Sequence, residues 1–412
     1  MLLPVHRMEG DAQNDTASNL STCADGVVMT SREVAFQERH SMKTPEAAVK
    51  PANGPRAATT DTEMRALVYH GPGRRAWESR PRPSLQQETD AIIRMSTTTI
   101  CGTDLHILKG HVSTVTDGRI LGHEGVGVIE EAGAAVSSVR EGDTVLISCI
   151  TSCARCDFCR RGMYSHCRNG GWILGNTIDG TLAEYVRVPW VETSVYHVPS
   201  QIDQEALVML SDILPTGFEC GVLNGRIKPG DTVAIVGAGP VGLATLMTAQ
   251  FYTPGAVLVL DLDEKRLRMA QALGATTLIN TALVDAVQEV LTVTNGAGVD
   301  VAIEAVGLPA TFDICQSIVA PGGRIANVGV HGTPVQFHLE KLWHHNIGLT
   351  TRLVDTVTTP MLLRVVQSGR LHPERLVTHR FQLHDVMKAY DTFENASREG
   401  AMKVILKNGP GT

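Results

Sequence analysis

The chain has 412 residues, with 36 Lys and Arg against 43 Asp and Glu, a formal net charge of −7 and a pI of about 6.1. That length calls for two to three domains, and the acidic balance excludes a general nucleic-acid binder, which needs a basic surplus. Hydrophobic residues at 43% allow a sizeable, mostly aliphatic core, and nine cysteines, five of them between Cys149 and Cys167, point to metal rather than to a disulfide scaffold.

Residues 1–63 hold one aromatic (Phe36), are rich in Ala, Thr, Ser, Asp and Glu, and show no sustained period. The stretch reads as a disordered extension, with a short helix possible at Arg32–Arg39. Its start fits neither a secretory signal nor a transit peptide, so the expectation is a cytoplasmic protein. From Met64 onward, MRALVYHG, AIIRMSTTT, LGHEGVGVIEEAG and DTVLIS read as strands of a β-rich domain over 64–213. Residues Thr232 to Leu260 carry no charged side chain, but glycines and two prolines break the run. A buried strand–helix–strand unit therefore explains it better than a membrane helix.

Across 214–351 strands alternate with helices: VAIVG, AVLVLD, TLIN, VAIEAVG and GRIANVGV, with VGLATLMTAQ, EKRLRMAQALG and DAVQEVLTVT between them. That alternation means an α/β, doubly wound parallel sheet. Helices TPMLLRVVQSG and LHDVMKAYDTF and a last strand, AMKVILK, return the chain over 352–412 to the first domain.

The turn Gly237-Ala-Gly239-Pro-Val-Gly242 follows an apolar strand and opens a helix. Gly237 suits the tight turn, Gly239 a close approach of backbone to a pyrophosphate, and Gly242 close packing of helix on strand. The next strand ends at Asp261, where a carboxylate binds ribose hydroxyls and repels a 2′-phosphate, favouring NAD over NADP. Arg266, one turn into the next helix, leans on the adenosine or is a surface residue.

Cys153, Cys156, Cys159 and Cys167 form C-x2-C-x2-C-x7-C. Four thiolates at this spacing close a tetrahedron around one structural Zn²⁺, with Arg155, Arg160 and Arg161 nearby to balance charge. A [4Fe–4S] cluster uses a similar run, but no Pro follows the fourth Cys and no second set exists. Cys101, in Cys101-Gly-Thr103-Asp104-Leu-His106, and His123-Glu124 add a thiolate, an imidazole and a carboxylate, natural zinc donors in combination.

From about Met64 to Lys407, with these motifs in this order, the chain resembles the zinc-dependent, medium-chain alcohol dehydrogenases. Nearest in motif are the bacterial secondary-alcohol and formaldehyde dehydrogenases. The resemblance implies a GroES-like β-rich catalytic domain beside a Rossmann domain, two zinc ions per chain, NAD, and a homo-oligomer, dimer or tetramer. It implies a catalytic zinc on Cys101, His123 and a third ligand at Asp212, with Glu124 able to ligate transiently. Asp212 also reads as a helix N-cap. By the same resemblance Thr103 bonds the substrate oxygen, His106 ends a proton relay, and Asp104 orients His123. Thr216 lies beside the nicotinamide, and Lys403 near the pyrophosphate or in solvent. Cys149 and Trp172 line the alcohol pocket, Trp172 competing with a plain core role. Cys149 replaces an aromatic wall with a small side chain, leaving room for a second alkyl branch.

The expected reaction passes a hydride from a small alcohol, secondary by preference, to NAD, reversibly, with no nucleic-acid or membrane partner. A formaldehyde- or aldehyde-oxidising enzyme and a polyol dehydrogenase are the alternatives within the family. A non-catalytic NAD- or zinc-binding protein is the alternative outside it, and the retained Thr103, His106 and Glu124 argue against that one. The secondary-alcohol enzymes in question lack the cysteine lobe and take NADP, so the resemblance speaks more for the family than for the substrate.

Overall fold

The structure, a computed structural model, describes residues 62–199 and 202–409. The expected extension, with its helix at Arg32–Arg39, lies outside the described residues up to residue 61.

The first part of the chain is built of strands: β1 (Glu63–Tyr69), β2 (Arg75–Pro81), β3 (Ala91–Thr99), β4 (Arg119–Ile120), β5 (Gly125–Ala132), β6 (Thr144–Ile147), β7 (Tyr185–Val188) and β8 (Val195–His197). β1 pairs with β2 and β4 in a small antiparallel sheet. The β-branched and small residues of β3 and β5 suit a pleated, buried surface. Their antiparallel register sets Ile93 opposite Ile129 and Thr98 opposite Gly125.

The second part is an all-parallel sheet of β9 (Thr232–Val236), β10 (Ala256–Asp261), β11 (Thr277–Asn280), β12 (Val299–Glu304), β13 (Val319–Asn327) and β14 (Gly348–Thr351), in the order β11-β10-β9-β12-β13-β14. Strand β9 is central and almost wholly buried, which explains its continuous apolar run. Asp263 and Asp285 cap the helices Glu264–Ala272 and Ala286–Val293 through backbone N–H groups of their first turns. Among the elements that escaped the sequence reading are a helix and an edge strand of this part. Helix Pro309–Ile318 has a weak pattern but a Pro in its first turn. The four-residue edge strand β14 has no signature of its own.

The chain then returns. β15 (Val377–Gln382) and β16 (Lys403–Lys407) run parallel to each other, and β16 joins the first sheet by pairing antiparallel with β3. The larger sheet of the first part therefore has the order β15-β16-β3-β5-β6-β8, with β7 also on β3. Among the described residues no helix is long and apolar enough to cross a membrane, and all eight cysteines are free thiols.

Candidate functional site

Sheet register explains why residues far apart in sequence meet. With Thr98 opposite Gly125 and Gly125 opposite Ile147, the residues just past these strand ends share one edge: Cys101, His123, Glu124 and Cys149. With Thr99 opposite Ile405, Lys403 falls at the same edge. Ser211 ties in the fifth segment, its Oγ accepting from the Gly125 N–H at 3.0 Å and its carbonyl from the Cys149 N–H at 3.0 Å. Asp212 is thereby delivered to the cluster.

The donor atoms of Cys101, His123 and Glu124 lie within 4.8 Å of one another. Asp212 Oδ2 stands 3.6 Å from Cys101 Sγ and 3.3 Å from His123 Nε2. The other oxygen, Oδ1, accepts from the Thr216 hydroxyl at 2.7 Å and faces Cys149 Sγ at 3.7 Å. Asp212 makes no side-chain capping bond to the helix it precedes, Ile213–Thr216, so the N-cap alternative falls away. A thiol, an imidazole and a carboxylate oxygen converging at contact distance in a buried pocket fit a tetrahedral zinc with one position left for substrate. Glu124 Oε1 is buried with no partner, a spare oxygen at the same place.

Electrostatics follow the geometry. Burial opposes ionisation of Asp212, yet the imidazole of His123 and the Thr216 hydroxyl outweigh it and hold its pKa down at about 2. Burial likewise works against charge on His123, and Asp212 and Cys101 override it, holding the imidazole well above its ordinary value. Burial pushes the Cys149 thiol well up, which suits a neutral pocket wall.

Lys403 was expected beside a pyrophosphate or in solvent. Solvent is excluded: it is 1% exposed, its Nζ donates to Glu124 Oε2 at 2.7 Å and to the Ile100 carbonyl at 3.4 Å, and it lines the same cavity as Gly239. One expected role is corrected. Asp104 was expected to orient His123. Its Oδ2 instead accepts from the Cys101 N–H at 2.9 Å, at the start of helix Gly102–Leu108, and its Oδ1 has no partner.

A cavity of 1010 Å³ joins the two parts of the chain. Cys101, Thr103, His106, His123, Asp212 and Thr216 line one end, with Cys149 and Trp172 beside them, and Gly239, Val241 and Ala305 the other. Trp172 meets His123 edge-on with ring centroids 6.2 Å apart, which places it in the pocket. Thr103 and His106 share a helix face at i,i+3, and Thr103 Oγ1 lies 3.7 Å from Cys101 Sγ.

The glycine turn has the expected shape. Gly237 has φ +108°, a Cβ on Gly242 would sit 1.9 Å from the Gly237 carbonyl, and one on Gly239 would meet open space. The helix Pro240–Ala249 thus turns free N–H groups to an open approach. Asp261, ending β10, accepts from the Ala238 N–H at 2.7 Å and the Asp263 N–H at 2.9 Å. Asp261 and Arg266 lie outside the cavity lining, further along the sheet edge.

In the lobe, Cys153, Cys156, Cys159 and Cys167 bring their sulfurs within 4.8 Å of one another. The Cys153 N–H donates to Cys167 Sγ at 3.2 Å and Asn169 Nδ2 to Cys153 Sγ at 3.4 Å, bonds that favour thiolates. Four sulfurs with no open side fit a structural ion. Of the arginines expected near the lobe, Arg155 lies over the Trp190 ring at 5.1 Å and Arg161 over Phe158 at 5.9 Å. The sequence reading missed that Arg161, Met163 and His166 of this lobe, and Arg352–Asp355 after β14, also line the cavity.

Known families match both parts of the chain: an alcohol dehydrogenase GroES-like domain over residues 87–200 and a zinc-binding dehydrogenase over 240–366. An alcohol dehydrogenase of Cupriavidus necator is 36% identical over 84% of this chain and 98% of its own length. The apo form of zinc dependent alcohol dehydrogenase 2 from Streptococcus pneumonia superposes with a TM-score of 0.81 at 50% identity, covering 85% of this chain and 99% of that one. Alcohol dehydrogenase TADH from Thermus sp. ATN1 does so with 0.78 at 35%, covering 84% and 100%. Matched along nearly the whole length of such relatives, and by a family in each half, the chain belongs to the zinc-dependent medium-chain alcohol dehydrogenases and is a zinc-dependent alcohol oxidoreductase.

Proposed function

We propose that the chain oxidises small alcohols, secondary ones by preference, to ketones or aldehydes with NAD, reversibly, and holds two zinc ions, one catalytic and one in the lobe. The observation that carries this reading is the convergence of Cys101, His123 and Asp212 at the head of a cavity whose far end is the glycine turn. Zinc on these three residues supplies Lewis acidity toward the alcohol oxygen. The Gly239 turn would hold the pyrophosphate and Asp261 the ribose of NAD, which would supply the hydride acceptor.

The chain's own groups do the rest. Thr103 accepts the alcohol's hydrogen bond and passes its proton outward, and His106, which lines the same cavity, receives a proton. Burial, then the nearby His111 and Lys109, lower the His106 pKa, so the ring is neutral and ready to accept near pH 7. Thr216 holds Asp212 by one oxygen and leaves the other toward Cys101 and His123. Glu124 keeps a spare oxygen at the site, its charge balanced by Lys403. Ile100, Ile150 and Trp172 supply the apolar walls that exclude water. Beside Trp172, the small Cys149 leaves room for two alkyl branches, which supports a secondary alcohol.

Initial rates of NAD and NADP reduction with matched primary, secondary and cyclic alcohols, polyols and formaldehyde test the proposal. The expected result is NAD reduction with secondary alcohols leading. Turnover confined to formaldehyde or to polyols overturns the substrate assignment. A homo-oligomer is part of the proposal: β14 leaves an open sheet edge, with Leu349 on it 39% exposed and Trp343 nearby in sequence 73% exposed. Light scattering on the purified chain checks it, and a monomer contradicts it.

A further inference from the structure

The segment that leaves β14 and crosses back to the first part of the chain, Arg352–Thr358, is held by more bonds than a connection needs. Asp355 is 4% exposed. Its Oδ1 accepts from both the N–H (3.0 Å) and the hydroxyl (2.6 Å) of Ser165 in the four-cysteine lobe. Its Oδ2 accepts from Arg352 at 2.8 Å. Its own N–H donates to Glu219 Oε2 at 2.9 Å, and the N–H and hydroxyl of Thr358 each donate to Glu219 Oε1 at 2.9 Å. Glu219 is fully buried, in the π-helical turn Gly217–Leu223 that follows Thr216.

Between these anchors Thr356 has φ +59°, a left-handed conformation costly for a β-branched residue. Its hydroxyl meets the Ser148 hydroxyl at 2.9 Å, and its carbonyl accepts from Tyr196 at 3.2 Å. Strain of this kind persists only where the surroundings over-determine it. The strained segment is also a wall. Arg352–Asp355 line the catalytic cavity, and so do Arg161, Met163 and His166 on either side of Ser165.

We propose that Asp355 is a positioning residue that couples the cysteine lobe to the wall of the catalytic cavity, with Ser165 as its partner on the lobe. The lobe is then part of the binding apparatus as well as a staple. Its 3₁₀ turn Tyr164–His166 presents Ser165, Ser165 fixes the Asp355 carboxylate, and Asp355 fixes the wall through Arg352 and the Glu219 turn. The inference rests on the proposed NAD-dependent alcohol oxidation for its kinetic readout.

The test compares Ser165→Ala, Ser165→Thr, Asp355→Asn and the double variant Ser165→Ala/Asp355→Asn with the parent, each zinc-loaded. It measures KM and kcat for the alcohol, NADH dissociation by fluorescence, and zinc content. A single lost hydrogen bond to a charged group is worth roughly a tenfold change. Ser165→Ala and Asp355→Asn are expected to raise KM or the NADH dissociation constant about tenfold, with kcat nearly constant and zinc content unchanged. Ser165→Thr, which keeps the hydroxyl, restores the parent values. The double variant stays close to the worse single one, because both weaken the same Ser165–Asp355 link. If Ser165→Ala lowers the melting temperature but leaves KM and NADH binding at parent values, the lobe only stabilises and the proposal is overturned. A double variant showing the full product of the single effects overturns the coupling. A parent chain with no NAD-linked activity removes the functional reading instead, and NADH binding by the variants then still decides the coupling.

Discussion

Lys403 and Glu124 form an ion pair at 2.7 Å with side chains 1% and 0% exposed, and Glu124 belongs to the donor cluster with Cys101 and His123. Burial works against the ammonium, and the Glu124 carboxylate outweighs it, raising the Lys403 pKa. Removing one partner of a buried pair strands the other charge, at a cost of about 3–5 kcal/mol. Lys403→Met is therefore expected to lower the melting temperature sharply. Lys403→Met with Glu124→Gln removes both charges and should recover most of the loss. Thermal unfolding of the three proteins checks this, and equal losses in the single and double variants contradict it.

Asp261 sets cofactor choice in this account. Its carboxylate is anchored by two backbone N–H groups at the end of β10, where a 2′-phosphate meets like charge. Such juxtaposition costs several kcal/mol. Asp261→Ser should shift the ratio of kcat/KM for NADP over NAD upward by about 10²-fold. An unchanged ratio in steady-state kinetics removes Asp261 from cofactor selection.

On the proposed relay, His106 gives the rate its acid limb. Its pKa is lowered from the ordinary 6.5 by burial first, then by His111 and Lys109. The neutral ring is the form that accepts a proton, so kcat/KM for alcohol oxidation falls as pH drops through a value below 6.5. Lys109→Gln removes a positive neighbour and should move that limb to higher pH. His106→Gln should abolish it. A pH profile unaltered in His106→Gln assigns the limb to another group.

The space beside Cys149 is the structural reason for expecting secondary alcohols. Cys149→Phe fills it, and overpacking costs about 1–3 kcal/mol where the second branch sits. Secondary-alcohol kcat/KM should fall by about 10–100-fold while primary alcohols are spared. Equal losses for both classes contradict the pocket assignment.

Local signals were legible and long-range pairings were not. The cysteine spacing, the glycine turn and the strand–helix alternation are short-range patterns, and each appears where the sequence places it. Cys101, His123 and Asp212 lie in three separate segments, and only the resemblance joined them before the sheet register did. The Lys403–Glu124 pair was missed because the partners lie 279 residues apart and a lone Lys carries no pattern. Asp104 was misassigned because one carboxylate serves a helix start as well as a neighbouring imidazole. The Ser165–Asp355 link, 190 residues apart, has no sequence signature at all.

The proposed catalytic zinc is held by Cys101, His123 and Asp212, separate from the lobe. Zinc per chain by mass spectrometry, measured with NADH formation on the same samples of the parent and Asp212→Ala, tests it most directly. Two zinc ions are expected in the parent and one in Asp212→Ala, with NADH formation lost and the lobe ion retained. Parent-like NADH formation by Asp212→Ala, with one ion or two, would contradict it.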